Sequence, residues 1–256
     1  MDTRKNIKIM ENLLVTNDYV SLGESENFRV VYDETTDLVW FNTPIQSLYD
    51  FVDLGLPSGL KWASCNVGAS VPEEFGLYFA WGETEGYSGI TAEKGFYWGD
   101  YKYTSGACIG ATDTAFRGGL TKYNYNSSSG VVDNLTTLEL VDDAAYVSDN
   151  TYRMPTKTDF EELTANTTSV WETLNGVNGK RFTSKTNGNS IFVPAAGVCD
   201  GGRVGSVGSL GYYWSSSLHE SYSNSGWYFY FNSNLGGISM SSTYRRSGFP
   251  VRPVKK

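Results

Sequence analysis

Residues 211–254 read GYYWSSSLHESYSNSGWYFYFNSNLGGISMSSTYRRSGFPVRPV, and tyrosine, serine, glycine and asparagine dominate this stretch. Glu220 is its only acidic residue, and no lysine occurs between Lys185 and Lys255. Tyrosine gives large, stiff contact area at low entropic cost, while serine and asparagine supply adaptable hydrogen bonds. The composition therefore indicates a surface that contacts a partner, held in place by the rest of the chain.

The run Trp227–Phe231, WYFYF, predicts how this stretch folds. Successive side chains of a β-strand point to opposite faces, so Trp227, Phe229 and Phe231 would share one face and Tyr228 and Tyr230 the other. The run 238–241, ISMS, repeats the alternation with serines on the second face. We expect one face to be anchored in a core and the other to display tyrosine and serine.

The bulk composition bounds the class of protein. The chain has 256 residues, of which 40% are hydrophobic and 15% aromatic, which is typical of a globular protein with a sizeable core. Its net charge of −8 argues against nucleic acid or an anionic membrane as partner. Residues 186–254 differ from this acidic body, because they hold four arginines against two acidic residues. Arginines stack and donate in forks, which suits contact with a variable partner.

Neither export nor membrane insertion is visible in the sequence. No apolar run reaches membrane-spanning length, and the apolar stretch near the start is too short and interrupted for a signal peptide. Cys65, Cys108 and Cys199 are widely spaced, which leaves one disulfide or three buried free thiols as alternatives. With His219 as the only histidine, a zinc site is not expected.

Residues 1–48 are expected to form a small β-rich piece, separate from a larger domain at 49–256. Alternation around Asp33–Asp37 predicts a hairpin with strands Phe28–Tyr32 and Leu38–Phe41, ended by Asn42–Pro44. This piece would be either an attachment module or a simple β-extension of the main fold.

The larger domain is expected to begin with two short strands and to contain long irregular loops over residues 86–130. Helices are predicted at Leu138–Tyr146 and Pro155–Asn166, the second with Thr156 as N-cap and Asp159 at the third position. The Asn187-Gly188 pair predicts a hairpin between strands at 180–184 and 190–194, and a last strand is expected at 249–254.

Several ordered segments resemble the C-type-lectin-fold domains of Bacteroidetes surface proteins, which are related in fold to formylglycine-generating enzymes. They are FVDLGLPSGLKWASCNVGA, YFAWGET, YRMPTKTDFEEL, FVPAAG, GYYWSSS and GFPVRPV, which together cover about residues 49–256. The resemblance implies an α+β, C-type-lectin-like fold with short helices, small twisted antiparallel sheets and long irregular loops.

A narrower resemblance is to the variable proteins of diversity-generating retroelements, in which mutated adenines turn asparagine codons into many others but never into Lys, Glu, Gln, Met or Trp codons. Over residues 203–249, those excluded residue types stand where framework is expected. The resemblance implies displayed, ligand-binding positions at Tyr212, His219, Ser221, Tyr222, Ser223, Asn224, Tyr228, Tyr230, Ser233, Ser239, Ser241, Ser242, Thr243, Tyr244, Arg246 and Ser247. Arg252, by contrast, would be a structural ion pair or carbonyl donor.

Catalytic and metal chemistry find little support in the sequence. The calcium-binding tripeptides of sugar-binding C-type lectins are missing, although backbone carbonyls with Asp100, Asp113 and Asp133 would be an alternative calcium site. Formylglycine generation requires a pair of reactive cysteines late in the fold, and only Cys199 lies there. Glycosidase chemistry requires two carboxylates close together, and Glu83 with Glu85 would be an unconvincing pair because acids in a loop are more often simply solvated.

We therefore expect a non-catalytic binding protein without cofactor or metal, whose partner is a protein or glycan on a cell surface. Its location would be a phage tail tip or a bacterial surface. The alternative is an undiversified adhesion or carbohydrate-binding module of the same fold.

Overall fold

The computed structural model describes residues 49–91, 93–105, 112–234 and 237–256, together with the backbone of four strands nearer the N-terminus. The chain divides into two compact units, Met1–Tyr49 and Asp50–Lys256. Within the described residues, no helix combines the length and hydrophobicity needed to span a bilayer.

The first unit contains two antiparallel strand pairs. β1 (Leu13–Val15) pairs with β2 (Val20–Leu22), and β3 (Val30–Asp33) pairs with β4 (Leu38–Phe41). The second pair is the hairpin that the sequence predicts, with its first strand displaced toward the turn. The predicted break at residues 42–44 lies outside the described residues.

The second unit is a mixed fold of small antiparallel sheets with few helices. One sheet joins its first and last strands in the order β15-β6-β5, and a second has the order β7-β8-β9. A third has the order β12-β13-β14, and β10 and β11 form a hairpin. The strands are β5 (Phe51–Asp53), β6 (Lys61–Ala63), β7 (Thr167–Leu174), β8 (Val177–Ser184), β9 (Ser190–Pro194), β10 (Val198–Asp200), β11 (Arg203–Gly205), β12 (Leu210–Leu218), β13 (Ser225–Asn232), β14 (Ile238–Tyr244) and β15 (Val254–Lys255).

Helix α2 (Lys157–Asn166) begins as the sequence predicts. The Thr156 hydroxyl accepts a hydrogen bond from the Asp159 backbone N–H at 3.1 Å, and the Asp159 carboxylate accepts one from the Thr156 N–H at 2.7 Å. This capping box satisfies two N–H groups that a helix start would otherwise leave unpaired. Phe160 and Leu163 of α2 are buried, as predicted.

The other predicted helix, Leu138–Tyr146, is broken in two. Leu140–Asp142 forms a 3₁₀ turn, and the short helix α1 (Ala144–Ser148) begins only after Asp143. The Asp143 carboxylate accepts hydrogen bonds from two N–H groups of α1, so this residue acts as an N-cap and interrupts the helix. The composition of this segment predicted a helix, but it did not show that the helix begins only after Asp143.

The hydrophobic core is formed by α2 and the third sheet together with residues of the first two sheets and their connections. The Phe160 ring of α2 stacks on Phe229 of β13, with 4.7 Å between centroids and 8° between planes. Tyr213 of β12 and Phe231 of β13 are also fully buried in this core. The third sheet is thus anchored on one side by its aromatic residues.

Residues 86–130 are irregular where the structure describes them, as predicted, with a 3₁₀ turn at Trp98–Asp100 and isolated bridges. Buried aromatic side chains such as Phe96, Trp98, Tyr101 and Tyr123 order these loops. The loops are therefore part of the packed unit despite having little regular backbone pairing.

The predicted strand over 249–254 was wrong for most of its length. Phe249 makes an isolated bridge to Phe79, and regular pairing starts at Val254. Proline has no N–H to donate to a ladder. Pro250 and Pro253 instead offer carbonyls, which accept from the backbone N–H groups of Trp214 and Ala63.

Candidate contact surface

Strand β13 separates Phe229 and Phe231 from Tyr228 and Tyr230 as the sequence predicts, but Trp227, which was expected to be anchored with the phenylalanines, is only half-buried and is not part of the core. Phe229 and Phe231 are buried in the core, whereas Tyr228 and Tyr230 on the opposite face are half-buried. Because the side-chain period of a strand is two, the register of β13 fixes which face each residue takes. The tyrosines are thereby turned away from the core.

Five residues from the three strands form what we call the tyrosine face. In the register of the sheet, Tyr230 lies between Tyr212 of β12 and Ser239 of β14, and Tyr228 is opposite Ser241 of β14. The Tyr212 ring lies 5.6 Å from Tyr228 and 5.4 Å from Tyr230. The rings and the two serine hydroxyls therefore form one continuous patch.

Phe249 supports the tyrosine face from the side. Its ring stacks on Tyr212 at 5.2 Å, meets Tyr228 at 5.0 Å and packs on the buried Trp214 at 4.3 Å. Aromatic pairs at these separations are stabilising beyond the area that they bury. The tyrosine side chains are thus held in place by packing within the unit.

The tyrosine face carries no formal charge. Burial raises the pKa of Tyr212, and the neighbouring Tyr228 and Tyr230 add to the effect, so its hydroxyl stays protonated at neutral pH. The Tyr230 hydroxyl accepts a hydrogen bond from the Asn232 side chain at 3.0 Å, which leaves its own proton free to donate. The face therefore offers neutral donors and acceptors beside apolar rings.

A second group of predicted site residues lies around the turn between β12 and β13. His219 stacks on Trp227 at 4.9 Å and lies 5.0 Å from Tyr222, which is 63% exposed. The Trp227 indole N–H donates to the Glu220 carboxylate at 2.7 Å, and the Lys157 ammonium lies 3.7 Å from the Trp227 ring centroid. We call these residues, with Ser221, the turn cluster.

The predicted surface is thus divided in two. Trp227 and Tyr228 are neighbours in one strand, so their side chains leave it on opposite faces. His219, Ser221 and Tyr222 are grouped with Trp227, whereas Tyr212 packs against Tyr228. A single flat ligand is not expected to contact both groups.

Three predicted contact residues are buried instead of displayed: Ser223, Arg246 and Ser247, with 3%, 4% and 1% exposure. The Arg246 guanidinium donates to the carbonyls of Phe96 and Thr114 and pairs with the Asp200 carboxylate. The Ser223 hydroxyl accepts from a backbone N–H of the long loops, and the Ser247 N–H closes a turn. The expectation of display was wrong for these three.

The remaining predicted positions lie around the sheet. Ser233 is exposed, Tyr244 is 37% exposed and packs 5.5 Å from Trp98, and Asn224 is half-buried. Thr243 follows Ser239 and Ser241 on their side of β14, whereas Ser242 is opposite Trp227 on the other side. These positions border the two groups.

Arg245 is a structural residue that the sequence interpretation missed. It is fully buried and donates to the carbonyls of Lys122 and Tyr123, and it packs on Trp81 and Tyr101. Burial lowers its pKa, while the Tyr101 hydroxyl opposes that effect. Together with Arg246 it ties the irregular loops to the third sheet. Arg252 donates to two backbone carbonyls, as the sequence predicts.

The candidate catalytic and calcium-binding residues have structural partners. Glu83 is buried and pairs with Lys94 at 2.7 Å, and Asp133 accepts from the backbone N–H groups of Tyr123 and Asn124. Burial raises the pKa of the Cys199 thiol to about 12, so this thiol is protonated at neutral pH. Among the described residues, no three His, Cys, Asp or Glu side chains cluster as a metal site.

Part of the chain is similar to a known domain family. Residues 162–254 match a domain of unknown function, DUF8237. The matched segment runs from within α2 to Val254 and so includes the tyrosine face. Neither the curated proteins nor the solved structures contain a match.

Proposed function

We propose that this chain is a non-catalytic binding protein of C-type-lectin-like fold, which recognises a protein or glycan on a cell surface through the tyrosine face. The observation that carries the proposal is the two-sided third sheet. Phe229 and Phe231 fix it in the core, while Tyr212, Tyr228 and Tyr230 are pre-ordered on the outer side. Pre-ordered tyrosines lose little entropy on binding, so more of their contact energy appears as affinity.

In this proposal the sheet also tolerates sequence diversification. The serines of the tyrosine face lie on the edge strand β14, where Ser239 is exposed. Replacements at such positions change the surface without changing the core packing, because strand register keeps them on the outer side. A retroelement could therefore vary the face while the anchoring residues stay constant. The phage tail tip or bacterial surface is the proposed location.

The experiment is capture of bacterial cells or isolated envelope components by the immobilised protein. Ser239→Arg places a long charged side chain on the tyrosine face and should abolish capture. Thr168→Arg places the same charged side chain at an exposed position of β7 in another sheet and should leave capture unchanged. Equal capture by both variants would refute the tyrosine face as the contact surface.

Sequencing the locus in many isolates tests diversification separately. We expect differences confined to adenine-derived codons within 203–249, next to a reverse transcriptase gene and a near-copy of the segment. Variation spread evenly over the chain would instead favour an undiversified adhesion module.

A further inference from the structure

Strand β7 is an edge of the second sheet, and within the described residues no strand pairs with its outer side. It pairs with β8 over its whole length, from Thr167 opposite Ser184 to Leu174 opposite Val177, without a bulge. Proteins usually protect such an edge with proline, lysine, a bulge or a very short strand. β7 has 8 residues, TTSVWETL, and carries none of these devices.

The turn between β7 and β8 fixes which backbone groups point outward. It consists of Asn175 and Gly176, which both have positive φ, so Leu174 and Val177 are the hydrogen-bonded pair that closes the hairpin. Hydrogen-bonded and non-hydrogen-bonded pairs alternate along an antiparallel ladder. The even-numbered residues of β7 therefore bond to β8, and the odd-numbered residues direct their N–H and C=O groups to the free edge.

The ladder between β8 and β9 agrees with this assignment. The Asn178 carbonyl, on the even-numbered side of β8, accepts a hydrogen bond from the Ala195 N–H just after β9. The odd-numbered residues of β8 are therefore those that bond to β7. On the free edge of β7, no backbone hydrogen bond links Ser169, Trp171 or Thr173 to any other described segment. These groups are open to an incoming strand.

The opposite edge of the same sheet is closed from within the unit. The outward-facing carbonyls of β9 belong to Phe192 and Pro194. They accept hydrogen bonds from the Arg252 guanidinium at 3.1 Å and from the Tyr213 hydroxyl at 2.6 Å. Pro194 also has no N–H that would need a partner. The two edges thus differ, because side chains of the unit satisfy the β9 edge and leave the β7 edge available.

The side chains of β7 complement a second copy of the same strand. Val170 is 64% exposed and shares its face with Thr168 and Glu172. Glu172 is the only charged residue of β7, and its carboxylate lies 2.6 Å from the Arg181 guanidinium of β8. When two β7 strands run antiparallel with Val170 opposite Val170, each Glu172 lies opposite a Thr168. This register therefore brings no like charges together.

We propose that β7 is a self-association edge, at which two copies of the chain pair antiparallel about a twofold axis at Val170. Ser169 of each copy then exchanges backbone hydrogen bonds with Trp171 of the other, and the two second sheets join into one. The Val170 side chains form a non-hydrogen-bonded pair, in which side chains lie closest, and leave water together. A twofold contact must be self-complementary, and the register at Val170 meets this condition. Main-chain hydrogen bonds supply the affinity in such pairing.

Sedimentation velocity of the full chain over a micromolar concentration series tests the proposal. We expect a concentration-dependent species with twice the 28.3 kDa of one chain. Val170→Lys places like charges opposite each other at the axis and should weaken association by about tenfold or more. A monomer at every concentration would overturn the proposal, whether the edge stays free or takes a strand from another protein.

Thr168→Arg is the matched control, because it adds a positive charge to the same face of the same strand. In the proposed register this arginine lies opposite Glu172 of the other copy, so association should be as strong as in the parent. Both positions are exposed, so both variants should fold, which circular dichroism checks. Equal weakening by Thr168→Arg and Val170→Lys would refute the register at Val170.

Hydrogen exchange of the unaltered protein, resolved by residue, shows whether β7 is the covered strand. The amides of Ser169 and Trp171 should exchange more slowly as the protein concentration rises, and faster in Val170→Lys at the same concentration. Slow exchange of these amides in a monomer would show that another segment of the same chain covers the edge. A dimer in which they exchange freely would place the contact elsewhere. Either result would contradict the proposal.

Discussion

The guanidinium of Arg245 lies 5.5 Å from the ring centroid of Trp81, and both side chains are fully buried. Arg245 directly follows β14 of the third sheet, whereas Trp81 precedes the irregular loops at 86–130. The contact therefore joins two parts of the chain that are distant in sequence. The backbone reinforces it, because the Trp81 N–H donates to the Arg245 carbonyl at 2.8 Å. This pair is a principal reason why loops with little regular structure are ordered.

Replacing Arg245 with Met should therefore destabilise the unit by about 3 kcal/mol, since the carbonyls of Lys122 and Tyr123 would lose their buried donor. Denaturant unfolding followed by tryptophan fluorescence measures this change. Arg203→Met is the matched control at an exposed position and should have little effect. Equal stability of the two variants would rule out the proposed role of Arg245.

Phe229→Ala and Tyr230→Ala should separate the two faces of β13. Loss of the Phe229 ring opens a cavity beside Phe160 and should cost about 4 kcal/mol. Tyr230 is half-buried and loses chiefly its contact with Tyr212, so its replacement should cost about 1 kcal/mol. Thermal unfolding of both variants checks the difference, and the reverse order would mean that the tyrosine side is the core.

Asp142 should stabilise the unit at neutral pH. Burial alone would raise its pKa, but hydrogen bonds from Lys122, Tyr103 and Tyr123 outweigh burial and lower it. A carboxylate with a lowered folded-state pKa stabilises above its ordinary pKa of 3.8 and loses that contribution as the pH falls through the folded value.

Asp142→Asn should accordingly cost about 3 kcal/mol at neutral pH, with the deficit shrinking in strong acid. Urea unfolding across the pH range measures it. Asp113→Asn is the control, because Asp113 pairs with the exposed Arg117 and should change stability by no more than about 0.5 kcal/mol. A deficit independent of pH would show that shape and not charge matters at position 142.

Lys180→Met should stabilise the unit at neutral pH by about 1 kcal/mol, because Lys180 is almost entirely buried and methionine keeps a side chain of similar length there without a charge. The folded-state pKa of Lys180 is below its ordinary 10.5, so its charge destabilises the folded protein at lower pH. This penalty disappears as the pH rises from the folded value toward 10.5, and the two proteins should then converge in unfolding free energy. A variant less stable than the parent at neutral pH would show instead that the ammonium makes a net favourable interaction.

Local signals predicted local structure well. The α2 capping box requires only Thr156 and Asp159, three residues apart, and both make the expected bonds. The hairpin β8–β9 follows from Asn187-Gly188, because Gly188 adopts a φ of 76° that most residues avoid. The two faces of β13 follow from alternation alone.

The burial of the arginines depended on residues far away in sequence. Arg245 and Arg246 meet carbonyls more than a hundred positions earlier, in loops whose path no local pattern specifies. The place of Arg246 in a tyrosine- and serine-rich stretch therefore suggested display. The division between the tyrosine face and the turn cluster likewise depended on where the neighbouring rings pack, which composition does not contain.

The sheet β15-β6-β5 gives the second unit a mechanical property. Trp62 of β6 pairs with both Val52 and Val254, so the first and last strands flank a shared neighbour. Phe51 is level with Ala63, and Lys255 is level with Lys61, at the other end of β6. Tension applied to both ends of the unit therefore pulls along the strands in opposite directions and loads their hydrogen bonds in shear. Because these are the terminal strands of the unit, this sheet would bear that force before the rest of the unit did.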